Sequence, residues 1–198
     1  MRKVNYDKFP STKISGTILR GWNDIHTLLM ECFKSRKVLA VELLLINTRD
    51  LMKPENEIKE MTERFMTKDV LFGYVTNLSL KDYFDAGKLE VARKQVAAND
   101  RVIVVGSGAA MIAQAEATLV YVDMARWEIQ QRFRAHEVKA LGVDNREDAV
   151  SLQYKRGYFN DWRVLDKYKE GLFDKADFWL DTHIANDPRM IDRETFFK

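Results

Sequence analysis

Cysteine is almost missing from this chain: Cys32 is the only one in 198 residues. A lone cysteine excludes an internal disulfide and fits a protein kept in a reducing compartment. Proline occurs three times, and no low-complexity stretch or solenoid-length repeat is present. The three histidines, His26, His136 and His183, share no H-x-H or H-E-x-x-H spacing, so no metal site is expected. His183 lies near Asp181 and Asp187, an arrangement that a surface turn explains equally well. No apolar run reaches the length that crosses a bilayer. The opening "MRKVNYDKFPSTKISG" has basic residues with no apolar stretch behind them, so no signal peptide and a cytoplasmic location are expected. A net charge of +2 from 32 basic and 30 acidic residues gives no general attraction to nucleic acid or membranes. No G-x-S-x-G elbow exists for a hydrolytic serine.

What is present is the composition of a globular protein, 46% hydrophobic and 31% charged, read as a single domain over residues 1–198. Residues 6–16 look extended. The spacing of Ile25, Leu28, Leu29, Cys32 and Phe33 predicts an amphipathic helix with Cys32 in its apolar stripe. "VLAVELLLI" (38–46), "VLFGYV" (70–75), "RVIVV" (101–105), "ATLVYVD" (117–123) and "DFWLDT" (177–182) predict strands. Between them, 55–68 has helical spacing at Ile58, Met61 and Phe65, and a helix is expected to begin at the N-cap Ser79, with Leu89 either continuing it or starting another after Gly87. "MARWEIQQRFRAHEVKALG" predicts one helix ending at Gly142. Residues 153–172 are helical or irregular. Strands alternating with helices argue for an α/β sandwich around a mainly parallel sheet, with ligands beyond the carboxyl ends of the strands.

Those ends carry Asn47-Thr48-Arg49-Asp50, Thr76-Asn77, Gly106-Ser107-Gly108, Asp123 and Asp181-Thr182-His183. "VGSGAAMI" (105–112) has the outline of a phosphate loop followed by a small-residue helix. It lacks the six-position glycine spacing and the Gly-Lys-Ser/Thr of such loops, so a strand-to-helix turn is the favoured reading. The slot after 38–46, "ELLLINTRDLMKPE", has no glycine at all. On the helix that follows Asp123, Arg126, Gln130 and Arg134 fall at i, i+4 and i+8, with Arg132 to the side. Two readings stand open: guanidinium groups arrayed for a phosphate or carboxylate, or a solvated face opposite Ile129 and Phe133. "QYKRGYFNDWRVLDKYK" interleaves Lys155, Arg156, Arg163, Lys167 and Lys169 with Tyr154, Tyr158, Phe159 and Trp162. Such a run could stack the bases of single-stranded nucleic acid, but Asp161, Asp166 and Glu170 dilute its charge and an aromatic cluster with a charged rim is the favoured reading. Asp82 and Asp85 lie at a helix start, where dipole stabilisation is the simpler role.

"NLSLKDYFDAGKL", "VGSGAAMI", "LVYVDMARWEIQQRFR", "YKRGYFNDWRVLDKYK" and "DFWLDT" together resemble the amino-terminal region of long bacterial class I mannose-6-phosphate isomerases, over most of residues 6–195. The resemblance implies that isomerase chemistry and its zinc belong to a separate cupin domain, a partner in cis, and that this chain needs no cofactor. It also implies that the chain, ending in "RETFFK", is an amino-terminal piece. Residues 102–134 are similar to the later part of uridine-kinase-like P-loop proteins. Val105-Gly106 stands at that family's Glu-Gly position and Val122-Asp123 at its Val-Asp position. Arg126, Arg132 and Arg134 stand at its lid positions. The resemblance implies a three-layer, P-loop-kinase-like α/β fold with a degenerate phosphate loop. The expected ligand is a phosphorylated sugar or nucleotide held by Arg126, Arg132, Arg134, Arg156 and Arg163, with Ser107 and Gly108 at the turn. Two other readings are an active sugar or nucleoside kinase, with Asp123 or Asp82 as base or magnesium ligand, and a structural interaction domain.

Overall fold

A computed structural model of the chain describes residues 44–184 and 187–198, together with the backbone of 14–17. The helix expected around Cys32, and residues 6–13 and 38–43 of the expected extended segments, lie outside the described residues. Six strands form one sheet: β1 (Ile14–Thr17), β2 (Leu44–Asn47), β3 (Val102–Val105), β4 (Thr118–Asp123), β5 (Phe178–Asp181) and β6 (Arg189–Asp192). Their order is β2-β3-β1-β4-β5-β6. The first five run parallel, and β6 pairs antiparallel on β5. The α/β class and the mainly parallel sheet are therefore present.

The reason for the parallel core is clearest at β3. All four of its residues are buried, and a strand covered on both faces has no position where a polar side chain reaches water. Val102 and Val104 pack with Ile46, Ile58, Leu89, Ala92 and Val96. Ile103 and Val105 alternate to the opposite face and are equally buried. On β4, Leu119 and Tyr121 pack with Leu172, Ala176 and Trp179, the Tyr121 and Trp179 rings 4.8 Å apart.

The helices are α1 (Glu55–Glu63), α2 (Ala86–Ala98), α3 (Arg126–Arg134), α4 (Val150–Arg156), α5 (Trp162–Glu170) and the short α6 (Arg193–Phe196). Each of the first three presents a narrow buried stripe: Ile58 and Thr62, then Leu89, Ala92 and Val96, then Ile129 and Phe133. Asp85 caps α2 by accepting the Lys88 N–H at 2.8 Å. Between α4 and α5, Gly157–Asp161 form a π-helical turn.

Several expectations are corrected. α3 stops at Arg134 rather than Gly142, because His136 takes a left-handed φ of 53° that a helix cannot contain. The chain then turns through an Ala140–Val143 bridge, with Gly142 at φ 71°. Residues 70–75 pair with no strand among the described residues, and their apolar side chains are exposed. The small-residue helix after Gly108 is one 3-10 turn, Ala109–Met111. The strand that ends in Asn47 lies at the sheet's edge, and β1 lies inside the sheet between β3 and β4.

Candidate functional site at the carboxyl end of the sheet

The register brings the strand tips into line. Asn47 sits opposite Val105, Val105 opposite Gly16, and Asp123 opposite Asp181. The tips of β4 and β5 form a polar ledge. Asp123 accepts the Lys169 ammonium from α5 at 2.6 Å on one carboxylate oxygen and the Met124 N–H at 3.0 Å on the other. Thr182 donates its hydroxyl at 2.9 Å and its N–H at 3.0 Å to the Asp123 carbonyl. Lys169 also lies 5.4 Å from the Tyr121 ring centre and 5.7 Å from that of Trp179, so aromatic walls hold the ammonium in place. Burial pushes the Tyr121 phenol up, and the nearby Asp123 charge adds to the shift. Asp181 accepts the His183 N–H at 2.8 Å, a surface turn as expected. No group of metal-binding side chains occurs among the described residues.

At the tip of β3, Gly106 and Gly108 have φ of 117° and 81°. A side chain at Gly106 would run into the Thr48 hydroxyl, and one at Gly108 would meet Met111 at 2.5 Å and the Phe84 ring at 3.2 Å. The turn closes on itself, with Ala109 N–H donating to Gly106 at 3.2 Å and Met111 N–H to Gly108 at 2.8 Å. These glycines serve close packing against the loops after β2 and before α2. Ser107, between them, is engaged within the chain.

The arginines do not converge. Arg126 begins α3 three residues after Asp123, and one of its guanidinium nitrogens donates to both carboxylate oxygens of Asp166 at 2.6 and 2.7 Å, with Trp162 beneath it at 4.6 Å. Arg132 pairs with Glu128 one turn back at 2.5 Å. Arg134 is exposed beside Trp127 and Tyr154, each 5.9 Å away. Arg163 lies over Tyr158 at 4.5 Å and donates to its carbonyl at 3.1 Å. Arg156 is buried, donating to Thr62 at 3.1 Å and standing 3.4 Å from Asp161. Asp82 accepts the N–H and hydroxyl of Ser79 at 2.7 and 2.8 Å, which holds its carboxyl below the usual range. It is a cap, whereas Asp123 shares its ledge with an ammonium.

Sequence reasoning placed Lys169 in a basic, aromatic run but missed its pairing with Asp123, 46 residues away, a separation at which helical and strand spacing carry no signal. It also missed the buried Arg156–Asp161 pair. A small cleft of about 20 Å³ opens beside that pair, between α3, the 138–141 turn and Trp162, with Arg132 and Lys139 on its walls. This is room for about one water. A third signal is visible only once β1 is known to be central. From Gly16 the sequence reads Gly-Thr-Ile-Leu-Arg-Gly-Trp-Asn, so Gly16 and Gly21 keep the spacing of a G-x-x-x-x-G-K-[ST] loop. Trp22 and Asn23 stand where that loop has lysine and a hydroxyl, and Ile18 onward lies outside the described residues.

Fold and site together define an α/β protein with five parallel strands and a charged ledge at their carboxyl ends. More particularly, the chain belongs to the family described as a domain of unknown function, DUF8485, whose model matches residues 12–198 and so takes in every strand from β1 to β6. A search of curated proteins found no match. No helix among the described residues is long and apolar enough to cross a membrane.

Proposed function

We propose that this domain binds a phosphorylated small molecule, a sugar phosphate or a nucleotide, without transferring its phosphoryl group. In this reading it is a three-layer sandwich on the plan of the P-loop kinases, with a degenerate phosphate loop. The observation that carries the proposal is the strand order. The chain leaves the central β1 toward β2 on one side and returns through β3 to β4 on the other. In open parallel sheets a ligand sits outside the carboxyl ends where the order reverses. Here that place is bounded by the Gly106–Gly108 turn and by Asp123 with Lys169.

The retained glycine pair Gly16 and Gly21 supports an ancestral phosphate loop, and its substitutions support the loss of transfer. Lysine draws the outer phosphates and the hydroxyl holds magnesium; Trp22 and Asn23 supply neither. At the ledge, an anion competes with Asp123 for Lys169. Arg134 and Arg163 are exposed, and no carboxylate among the described residues pairs with either. The sugar-phosphate half of the ligand class and an isomerase domain as partner rest on the resemblance to mannose-6-phosphate isomerases.

Calorimetry with mannose 6-phosphate and with ATP–magnesium tests this reading. Binding of one of them is expected, weakened at least about tenfold by Lys169→Met, with no ADP formed. Absence of binding to both overturns the proposal. Magnesium-dependent phosphorylation of a sugar or nucleoside replaces it with an active kinase.

A further inference from the structure

The segment 67–76 combines an apolar surface with a rigid support. Val70, Leu71, Phe72, Tyr74 and Val75 are each exposed by 58% to 68%. Monomeric domains rarely leave more than a few hundred Å² of contiguous apolar surface in water. Yet the segment is tightly braced. The buried ammonium of Lys155 donates to the Thr67 carbonyl at 3.1 Å and to the Asp69 carbonyl. The Asp69 carboxylate accepts the N–H groups of Leu71 and Phe72 at 2.7 and 2.6 Å, and the Thr67 hydroxyl donates to the Phe72 carbonyl at 2.5 Å. A cation is costly to bury unless its donors are satisfied, so this one fixes the loop from beneath.

The backbone bonds alternate. Tyr74 N–H donates to the Phe65 carbonyl at 2.8 Å, and Thr76 N–H to the Phe159 carbonyl at 2.9 Å. Gly73 lies close against the same wall: a side chain there would meet the Phe65 carbonyl at 2.5 Å. From 72 to 79 the chain runs without turn or bend. Even-numbered residues thus bond inward, as one edge of a strand does, and the odd-numbered Gly73 and Val75 present N–H and C=O to the other edge. No strand among the described residues covers that edge.

We propose that this edge joins two copies of the chain. Residues 73–75 of each copy pair antiparallel about a two-fold axis through Tyr74. Gly73 of one copy exchanges both backbone bonds with Val75 of the other, and Tyr74 faces its own counterpart in the closer, non-hydrogen-bonded pair. A second copy suits the surface because residues 70–76 carry no charge to repel across the axis, and a two-fold contact needs only self-complementarity. The area also suits: the five side chains expose roughly 700 Å² per copy, close to the ~800 Å² per partner of a stable interface. Tyr158, half exposed with its ring 5.0 Å from that of Phe159, extends the patch.

Sedimentation from about 1 µM to about 200 µM tests the pairing. A monomer–dimer equilibrium is expected, weakened at least tenfold by Phe72→Glu and by Val75→Pro, with melting temperature and circular dichroism confirming that each variant is folded. Val75→Pro removes the outward N–H while leaving most of the apolar area, so it separates strand pairing from simple stickiness. Tyr74→Cys is expected to give, on mild oxidation, a dimer bridged between two copies of the peptide containing position 74. A chain monomeric at the highest concentration overturns the proposal, whatever else the patch binds. So does a dimer that both Phe72→Glu and Val75→Pro leave intact.

Discussion

The sheet and the helical lobe beside it have opposite interiors. β3 and its neighbours bury Val, Ile, Leu and Ala with Met52, Tyr83 and Phe84. The run from α4 into α5 instead buries Gln153, Lys155, Arg156, Asn160 and Asp161 within nine residues. The π turn at 157–161 makes this possible, because its extra residue swings Asn160 and Asp161 inward. Gly157 is needed there, since a side chain would reach the Trp162 ring at 2.7 Å. An apolar interior fails gradually, one methylene at a time. A charged one fails at once when a partner goes, because the group left behind has no water to turn to.

The sharpest way to break this contrast is Arg156→Met. It leaves Asp161, whose carboxylate accepts the Leu141 N–H at 3.1 Å, buried beside no countercharge. Urea titration is expected to show a loss of about 3–5 kcal/mol. Adding Asp161→Leu to Arg156→Met is expected to return a large part of it. A loss under about 1 kcal/mol for the single change would mean the pair is screened after all.

Ile103→Ala is the sheet's counterpart. It opens a cavity beside β3, where Ile103 is buried, and is expected to cost about 2–4 kcal/mol. The cost is expected to be equal at pH 5 and pH 8. A pH-dependent cost would show that the sheet and the charged lobe share one cooperative network.

Acidity sharpens the comparison next. Burial raises the Asp161 carboxyl from its ordinary 3.8, the nearby Arg156 pulling the other way. Between 3.8 and the raised value, the native state keeps a proton that the unfolded chain releases. Stability therefore falls as pH rises through that window, by up to about 1.4 kcal/mol per pH unit. The depressed carboxyls of Asp69, Asp82 and Asp144 act in reverse, losing their contribution as pH falls below 3.8. Denaturation measured across pH is expected to show a falling limb on the alkaline side of that value, which Asp161→Asn abolishes.

How much of this was legible follows from the same contrast. β3 announces itself because a strand covered on both faces must be apolar along its length, and β4 and β5 do so through their runs of aliphatic and aromatic residues. α1 was legible from its spacing, whereas the helix expected to begin at Ser79 is a 3-10 turn over Leu80–Tyr83, and α2 starts at Ala86, where Asp85 caps it. β1 was legible only as the end of the extended stretch 6–16: "ISGT" gains its place inside the sheet from β3 and β4 on either side, which four residues with Ser and Gly do not announce. "VLFGYV" has every strand residue type and no strand partner among the described residues, since composition records the edge but not what pairs with it. The basic stripe of α3 was real, but Arg126 is claimed by Asp166, 40 residues away. The polar tips of the parallel strands were legible as such, whereas Lys169 reaches Asp123 from a helix that sequence spacing does not connect to it.

The smallest effect concerns Asp82, which separates a catalytic carboxylate from a structural one. Asp82→Ala removes the cap on Ser79 and is expected to cost about 0.5–1 kcal/mol at neutral pH. Asp82 has a folded value below its ordinary 3.8, so its contribution is complete above 3.8 and fades as pH falls through the depressed value. The stability difference between Asp82→Ala and the unaltered chain is therefore expected to shrink in acid. Ligand affinity is expected to be unchanged, in contrast to Lys169→Met. If Asp82→Ala instead abolished binding with stability intact, the ligand would lie beside the turn before α2, and the ledge at Asp123 would be a structural ion pair.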